Sequence, residues 1–578
     1  MRSQGKALVL GDDTRSFLAI VRSLGRAGIE VHAAPADFTA PALRSKYITA
    51  AHRLPPYLGD GAEWCAGVTE LLRCQAFDLV IPCDERTLLP FDRHRAAFKD
   101  LARLAIPSPE SIEILFDKQR TRDLAASLDV PVARGRLVGP DDDAAALIAE
   151  FGLPLVIKPC ASFRLEALYT RGRAEICETA AELDAALARR GGSPHLIEAY
   201  FPGHGAGVSI LAHRGRVLQA FQHARARERG GAGFYRVSAP LSPDLLAAVE
   251  RMAGALRFTG VAMVEFKIDP RTGGWILLEV NARPWGSMPL PLALGVNFPS
   301  LWYRLLVAGE ERPPRAYRPG VYARNLLPDA RQILAEARDL RRTPAAMVVH
   351  LLAAGAQFGR LALGREHLDV LVADDPAPGF SELSQAASGI AARLVERVPG
   401  SRLALSRREQ GRVRRLMRQS RGGTASIAML CRGNICRSPL AAELLRRHLS
   451  GRFPQLRILA AGLMPREGVA SAPVAVAAAR NLGVDLAAHR SVHFSERDAA
   501  ETTLAVIFDE RNRDDLSARY PALAERTVML GSFLESSEGP REIADPDGGD
   551  LATFERTYAR IATAVSALAA VIAAVLSA

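Results

Sequence analysis

The 578-residue chain is nearly devoid of lysine: of its 74 basic residues only six are Lys, at 6, 46, 99, 118, 158 and 267, and none follows 267. Where arginine is the default cation, the lysines that remain mark places wanting a compact point charge, so Lys118, Lys158 and Lys267 invite attention. Cysteine is scarce as well. Seven residues, at 65, 74, 83, 160, 177, 431 and 436, make no disulfide framework and suit a reducing cytosol; only Cys431 and Cys436 form a local pair. Aromatics make up 6% against 48% apolar and 24% charged residues, which excludes a disordered or fibrous chain and describes an Ala- and Leu-rich globular one. Long apolar runs are also rare. The opening MRSQGKALVLGDD holds a run too short for a signal sequence, which reads as a first strand, and the expected location is the cytoplasm. The 18-residue tail IATAVSALAAVIAAVLSA at 561 to 578 lacks charge, but its Ala, Ser and Thr content points to a helix closing its own domain rather than a membrane span.

The net charge of +11 is uneven, with eight Arg against one Glu between Arg402 and Arg421. This run reads as a solvated helical linker at a domain boundary. It has no interleaved aromatics, so nucleic acid is not an expected partner; an anionic membrane surface is the partner open to the basic connector. At about 150 residues per domain the length accommodates roughly four. The expected division is 1–110, 111–325, a helical basic connector at 326–423, and 424–578.

The first hundred residues alternate strand-like and helix-like segments (ALVLG, RSFLAIVRSLGRAG, EVHAA, DLVIP), a βαβ pattern implying a parallel sheet, but no G-x-G-x-x-G follows the first strand. Further on, Lys158 ends the apolar LPLVIKP, and Glu198 ends a short strand before a Pro-Gly turn. Two alternating strands then flank RTGG in GVAMVEFKIDPRTGGWILLEVNARPWGS. Period-2 geometry puts Glu279 and Asn281 on one face, with Glu265 on the paired strand able to reach it. Two carboxylates and an amide oxygen suit Mg²⁺, which takes its remaining ligands from water and phosphates; Arg283 would point at the same phosphates.

These stretches, with DK at 117–118, VIKP at 156–159 and IEAYFPG at 197–203, resemble the ATP-grasp superfamily over roughly residues 1 to 325, in particular its carboxylate-amine ligase and carbamoyl-phosphate-synthase-like branch. The resemblance implies an ATP-grasp fold behind a Rossmann-like pre-domain. It implies that Lys118 and Lys158 contact ATP phosphates, that Glu198 holds the adenine end, and that Glu265, Glu279 and Asn281 bind Mg²⁺. The implied chemistry is ATP-dependent activation of a small carboxylate as an acyl phosphate for an amine-type acceptor. One departure is that CASFRLEALYTRGR follows Lys158 where the superfamily has a Gly- and Ser-rich flap.

In SIAMLCRGNICRSPLAAELLRRHL a strand runs into a loop and then a helix with Ser438 near its start and Pro439 in its first turn. Backbone amides and the helix dipole there favour a dianion and a thiolate at Cys431, and Arg437 closes the cradle with a planar fork. No further Cys or His at metal-ligand spacing lies nearby, so the pattern reads as a nucleophile in an anion cradle. This loop, with AAGLMPREG, NLGVDLAAHRS, LAVIFDERNRDDL and IADPDGGD, resembles the low-molecular-weight protein tyrosine phosphatase family from about 424 to 578, a doubly wound parallel-sheet domain. The resemblance implies Cys431 as nucleophile, Arg437 on the phosphate, Ser438 bonded to the thiolate, Asn434 shaping the loop, His489 at a structural position and Asp545 as general acid and then base. Cys436 is either a partner for a protective disulfide or a small packed residue. Leu463, Met464 and Asp547 stand near where that family has pocket aromatics, and Arg432 where it has an apolar residue, so a smaller or more acidic phosphate ester competes with a phosphorylated protein as substrate. The α/β chain is thus expected to be bifunctional, the alternative being a regulatory phosphatase whose ATP-grasp half only binds nucleotide.

Overall fold

A computed structural model describes residues 5–578 apart from 140, 166–167, 169–171, 173, 191–193, 230–231, 341–342, 396–399, 421–423, 450 and 536–538. The chain forms two compact units, one of Met1–Ala36, Ala40–Leu54 and Cys65–Glu382, the other of Asp37–Thr39, Pro55–Trp64 and Leu383–Ala578.

Among the described residues the first unit contains three sheets. Strands β1 (Lys6–Leu10), β2 (Glu30–Ala34), β3 (Ile48–Ala51), β4 (Leu79–Pro82) and β5 (Arg103–Leu104) pair in the order β3-β2-β1-β4-β5, all parallel, as the alternating pattern predicts. Both faces of β1 are buried, which is why it reads as an unbroken apolar run. A second, antiparallel sheet joins β6 (Gly135–Leu137), β7 (Leu155–Pro159), β8 (Glu175–Cys177) and β9 (His195–Ala199) in the order β6-β9-β7-β8. It carries Lys158 and Glu198 on neighbouring strands. The segment expected as an altered flap, 160–173, is described only in part.

The third sheet has seven strands: β10 (His204–His213), β11 (Arg216–Arg229), β12 (Ala232–Ala239), β13 (Gly260–Ile268), β14 (Trp275–Asn281), β15 (Tyr322–Arg324) and β16 (Glu366–Leu368), ordered β14-β13-β10-β11-β12-β15-β16. Its last two strands lie at or beyond the expected domain end. The segment expected as one connector, 326–423, is therefore divided between the units, its first part closing this sheet. The cause is a buried ion cluster: Arg324 donates to Glu366 at 2.6 Å and pairs with Asp329, its guanidinium lying 4.1 Å from the Tyr235 ring centroid and 4.2 Å from that of Phe358. Removing any one of these partners would strand a buried charge.

The second unit is a parallel sheet of β17 (Ala425–Cys431), β18 (Leu456–Gly462), β19 (Leu504–Ile507) and β20 (Thr527–Met529), ordered β18-β17-β19-β20. Strand order reverses beside β17, and crevices at the carboxyl ends of such strands are where ligands bind. The apolar tail lies in a helix, Leu551–Leu576, that buries Phe554, Tyr558, Ile561, Val565, Leu568 and Ile572 at helical spacing. The arginine-rich run forms the helix Ser401–Gln419, which is no solvated linker. Val413, Leu416 and Met417 join the core of the second unit, and Glu409 accepts from Met529 N at 2.8 Å and from Arg513 at 3.2 Å. Among the described residues two helices are long and apolar enough to cross a membrane, Pro344–Ala362 and Leu551–Leu576.

Candidate functional site

In the first unit, β13 and β14 pair so that Glu265 faces Glu279 and Met263 faces Asn281, with a bulge after Glu265. The bulge twists the ribbon and turns the three polar side chains together. Asn281 Nδ2 donates to Glu265 Oε1 at 3.2 Å and to Glu279 Oε1 at 3.3 Å. Its Oδ1 accepts from Arg283 at 2.8 Å, and Arg283 also reaches Glu85 at 2.9 Å. Burial holds the Glu265 carboxyl above the usual carboxylate range, against the pull of Arg225, which pairs with it. A divalent cation would relieve the same buried charge. Among the described residues no three His, Cys, Asp or Glu converge, so the donor set is two carboxylates and an amide, which fits an oxygen-loving ion completed by water and phosphate.

Lys118 opens the helix Lys118–Ser127 behind its cap Asp117 and donates to Ser162 at 2.8 Å. One cleft is lined by Lys118, Ser162, Glu279, Asn281, Arg283 and Glu85. Lys158 and Glu198 are placed otherwise. They form a buried pair at 2.7 Å, and Arg122 lies 3.3 Å from the same carboxylate. Glu85, Arg122 and Arg225 escape sequence reading because they come from distant elements with no local pattern.

In the second unit, Cys431 ends β17 and the helix Arg437–Leu449 starts six residues on. Asn434 bends the intervening loop with φ +52°, a left-handed conformation that Asn tolerates better than most side chains. The bend aims Asn434 N at Cys431 Sγ, 3.3 Å away. Sγ also lies 3.1 Å from Ser438 Oγ, which accepts from Asn434 Nδ2 at 2.9 Å and can turn its own proton to the sulfur or to Ala461 O, 3.5 Å away. Val492 N donates to Asn434 Oδ1 at 2.9 Å, and His489 Nε2 contacts Asn434 O at 2.7 Å. Cys431, Asn434, Ser438 and His489 are thus part of one bonded network.

Arg437 is buried. It donates to Asp509 at 2.6 Å, to Ile543 O at 2.9 Å and to Asp545 at 2.6 Å. Asp509 had no sequence signal beyond its place after VIF; it also caps the helix Glu510–Arg519. Asp545 is exposed, and its Oδ1 accepts from Asp547 N at 3.4 Å. Leu463 is in the core, Met464 half-buried and Asp547 exposed, so none of them walls the cradle with an aromatic ring. Arg432 and Arg466 are half-buried there instead; a Cβ on Gly433 would meet Arg466 Nη1 at 3.3 Å. Burial holds both guanidinium groups below their ordinary pKa. The Cys436 thiol is pushed well up by burial, and its carbonyl accepts from Tyr558 at 3.0 Å.

The low molecular weight phosphotyrosine protein phosphatase family pattern matches residues 426–577, and that of an ATP-grasp in the biosynthetic pathway with Ter operon matches 193–326. A probable low molecular weight protein-tyrosine-phosphatase EpsP of Ralstonia nicotianae is 30% identical over 142 residues, which are 25% of this chain and 92% of that protein. A protein-arginine-phosphatase of Geobacillus stearothermophilus is 29% identical over 143 residues, 25% of this chain and 93% of its own. Among solved structures, N5-carboxyaminoimidazole synthetase from Staphylococcus aureus complexed with ADP overlaps 59% of this chain and 87% of its own, with a TM-score of 0.46 and 14% identity.

Proposed function

The chain belongs, through residues 426–577, to the low-molecular-weight protein tyrosine phosphatase family, and on that premise we propose that it hydrolyses phosphate monoesters at Cys431 while its first unit activates a carboxylate with ATP. The observation that carries the first part is the buried Arg437 fork beside a sulfur that already receives the Asn434 amide. Cys431 Sγ attacks phosphorus as the P–O bond to the leaving group breaks, and Asp545 gives its proton to that oxygen. Water, losing a proton to Asp545, then attacks phosphorus, and the P–S bond breaks to return the thiolate. Ser438 and Asn434 hold the sulfur, and Arg437 with the loop amides takes the phosphoryl oxygens. The experiment is direct. Cys431→Ser should eliminate aryl phosphate hydrolysis and Cys436→Ser should keep most of it; an inactive Cys436→Ser beside an active Cys431→Ser would reverse the assignment.

The named substrates of the relatives are phosphotyrosine and phosphoarginine proteins. For this chain, Arg432 and Arg466 beside the cradle support an ester carrying a second negative charge, since half-buried cations attract anions more strongly than exposed ones. Phosphopeptides with acidic and with basic flanks, compared by kcat/KM, test this.

For the first unit the supporting observation is that Glu279 and Asn281 open on the same cleft as Lys118 and Arg283, with Glu265 bonded to Asn281. Those three would hold Mg²⁺, which when bound offsets phosphate charge. Lys118 and Arg283 would orient the nucleotide phosphates against an acceptor carboxylate, giving an acyl phosphate open to an amine. A second reading, nucleotide binding without turnover, has its own observation: Arg225 is already paired with Glu265. ADP release with pooled carboxylates and amines separates the two.

A further inference from the structure

Arg15 follows β1 at its carboxyl end, where β2 lies on one side and β4 on the other, so strand order reverses there and leaves a crevice. Its half-buried guanidinium finds no acceptor among the described residues. Asp13, two residues back, is engaged elsewhere: it accepts from Arg15 N and Ser16 N at 2.7 Å each, from Ser16 Oγ at 2.6 Å and from Phe17 N at 3.1 Å, which fastens the start of the helix Ser16–Arg26. The other charges acting on Arg15 are those of Arg236, Asp369 and Arg283. Asp369 accepts from Arg236 at 2.7 Å, and Glu85 accepts from Arg283 at 2.9 Å. Donors remain in surplus, since Arg236 Nε and Arg283 Nε are buried without an acceptor among the described residues. Burial lowers the pKa of Arg15, against the pull of Asp13 and Asp369 and with the push of Arg236 and Arg283. The group such a guanidinium lacks is an oxyanion, which its planar fork can hold through two parallel bonds.

The fold keeps room for this side chain. A Cβ on Gly286 would meet Arg15 Nη1 at 2.7 Å, so any larger residue there would push the guanidinium aside. Gly286 lies three positions after Arg283, so one short segment both brings Arg283 to the cleft and makes space for Arg15. The seven-stranded sheet connects the two places as well. Gly207 of β10 stands between Glu265 of β13 and His223 of β11, and Arg225, two beyond His223, is opposite Arg236 of β12. Period-2 geometry puts Glu265, Arg225 and Arg236 on one face, in a row that starts at the Glu265 and Asn281 cluster and ends at the neighbour of Arg15. We propose that the acceptor of the first unit carries a second oxyanion, a carboxylate or a phosphate, which docks on Arg15 while its reacting carboxylate faces the cleft. This names the substrate class for the carboxylate activation proposed above and rests on that reading.

Calorimetric titration of the full chain, saturated with Mg-ADP, tests it with three probes: glutarate, 3-phosphoglycerate and butyrate. Glutarate or 3-phosphoglycerate should bind about tenfold or more tightly than butyrate, and which of the two leads tells a carboxylate from a phosphate at Arg15. Arg15→Gln should weaken the favoured probe by about tenfold or more, the loss of one charge-assisted pair, and leave butyrate and Mg-ADP binding unchanged. Gly286→Ala, which displaces the guanidinium without removing it, should weaken the same probe. Equal binding of all three probes, or a favoured probe indifferent to Arg15→Gln, would overturn the proposal while leaving nucleotide binding intact. A wild type that does not bind Mg-ADP would remove the ATP reading, and the acceptor site with it.

Discussion

Asp545 spends the substrate-free state paired with Arg437 at 2.6 Å, so an incoming phosphate must displace an anion the enzyme supplies itself. Asp545→Asn should therefore bind an inert oxyanion such as tungstate more tightly, measured by calorimetry, while turning over more slowly. The slowing should depend on the leaving group. Loss of a general acid costs about 10²- to 10⁴-fold, so phenyl phosphate should fall within that range and nitrophenyl phosphate less, in single-turnover release. Equal losses would make Asp547 or Asp550 the candidate acid. His223 supplies a pH dependence in the first unit. Burial, aided by the Arg236 and Arg225 charges, lowers its pKa to about 3, and its ring fills the space over Gly207 where a Cβ would come within 2.4 Å. The unfolded chain takes up this proton near pH 6.5 and the folded one does not. Stability is thus complete above that pH and falls by up to about 1.4 kcal/mol per unit on acidification toward 3. Urea midpoints between pH 7 and 5 should show that slope, reduced in His223→Gln. At this scale the Cys431 loop was legible because its chemistry is confined to eight consecutive residues. Asp509, Arg225 and Glu85 were not, since each reaches its partner across tens to hundreds of positions.

The helix Ser401–Gln419 shows where reading by charge goes astray. Its arginines give the impression of a solvated rod, but Val413, Leu416 and Met417 at spacings of three and four form a narrow apolar stripe that the phosphatase sheet buries. That stripe was present in the sequence, outweighed by eight arginines. Met417 is fully buried, so Met417→Ala should destabilise the second unit by about 2–5 kcal/mol, read from urea unfolding followed by phosphatase activity. Arg418→Ala, on the same helix, should shift it little. The β13–β14 ribbon was read correctly in its facing, because alternation fixes which side chains share a side. The last strands of the seven-stranded sheet were missed: β15 and β16 are three residues each and are held by a buried ion cluster rather than by any periodic pattern.

Across the whole molecule the boundary between the units falls at Glu382 and Leu383, near neither end of the expected connector. Composition shifts at 402 drew attention to charge, whereas the partition follows which core each helix feeds. A ligand that binds only the folded form should stabilise its own unit. Mg-ATP at a hundred times its dissociation constant should add about 2.7 kcal/mol to the first unit, and Glu279→Gln should lose that gain in calorimetric scans. Unchanged stabilisation in the variant would remove Glu279 from the metal site. The scarcity of lysine has a further reach. All six side-chain amines belong to the first unit, and Lys118 lines the cleft that also holds Glu279 and Asn281 while Lys158 is locked to Glu198. Lysine acylation, whether by a laboratory ester or a cellular acetyl donor, can therefore write only on the first unit; the second unit offers no lysine to be marked, so its aryl phosphate hydrolysis should survive full acylation of the chain.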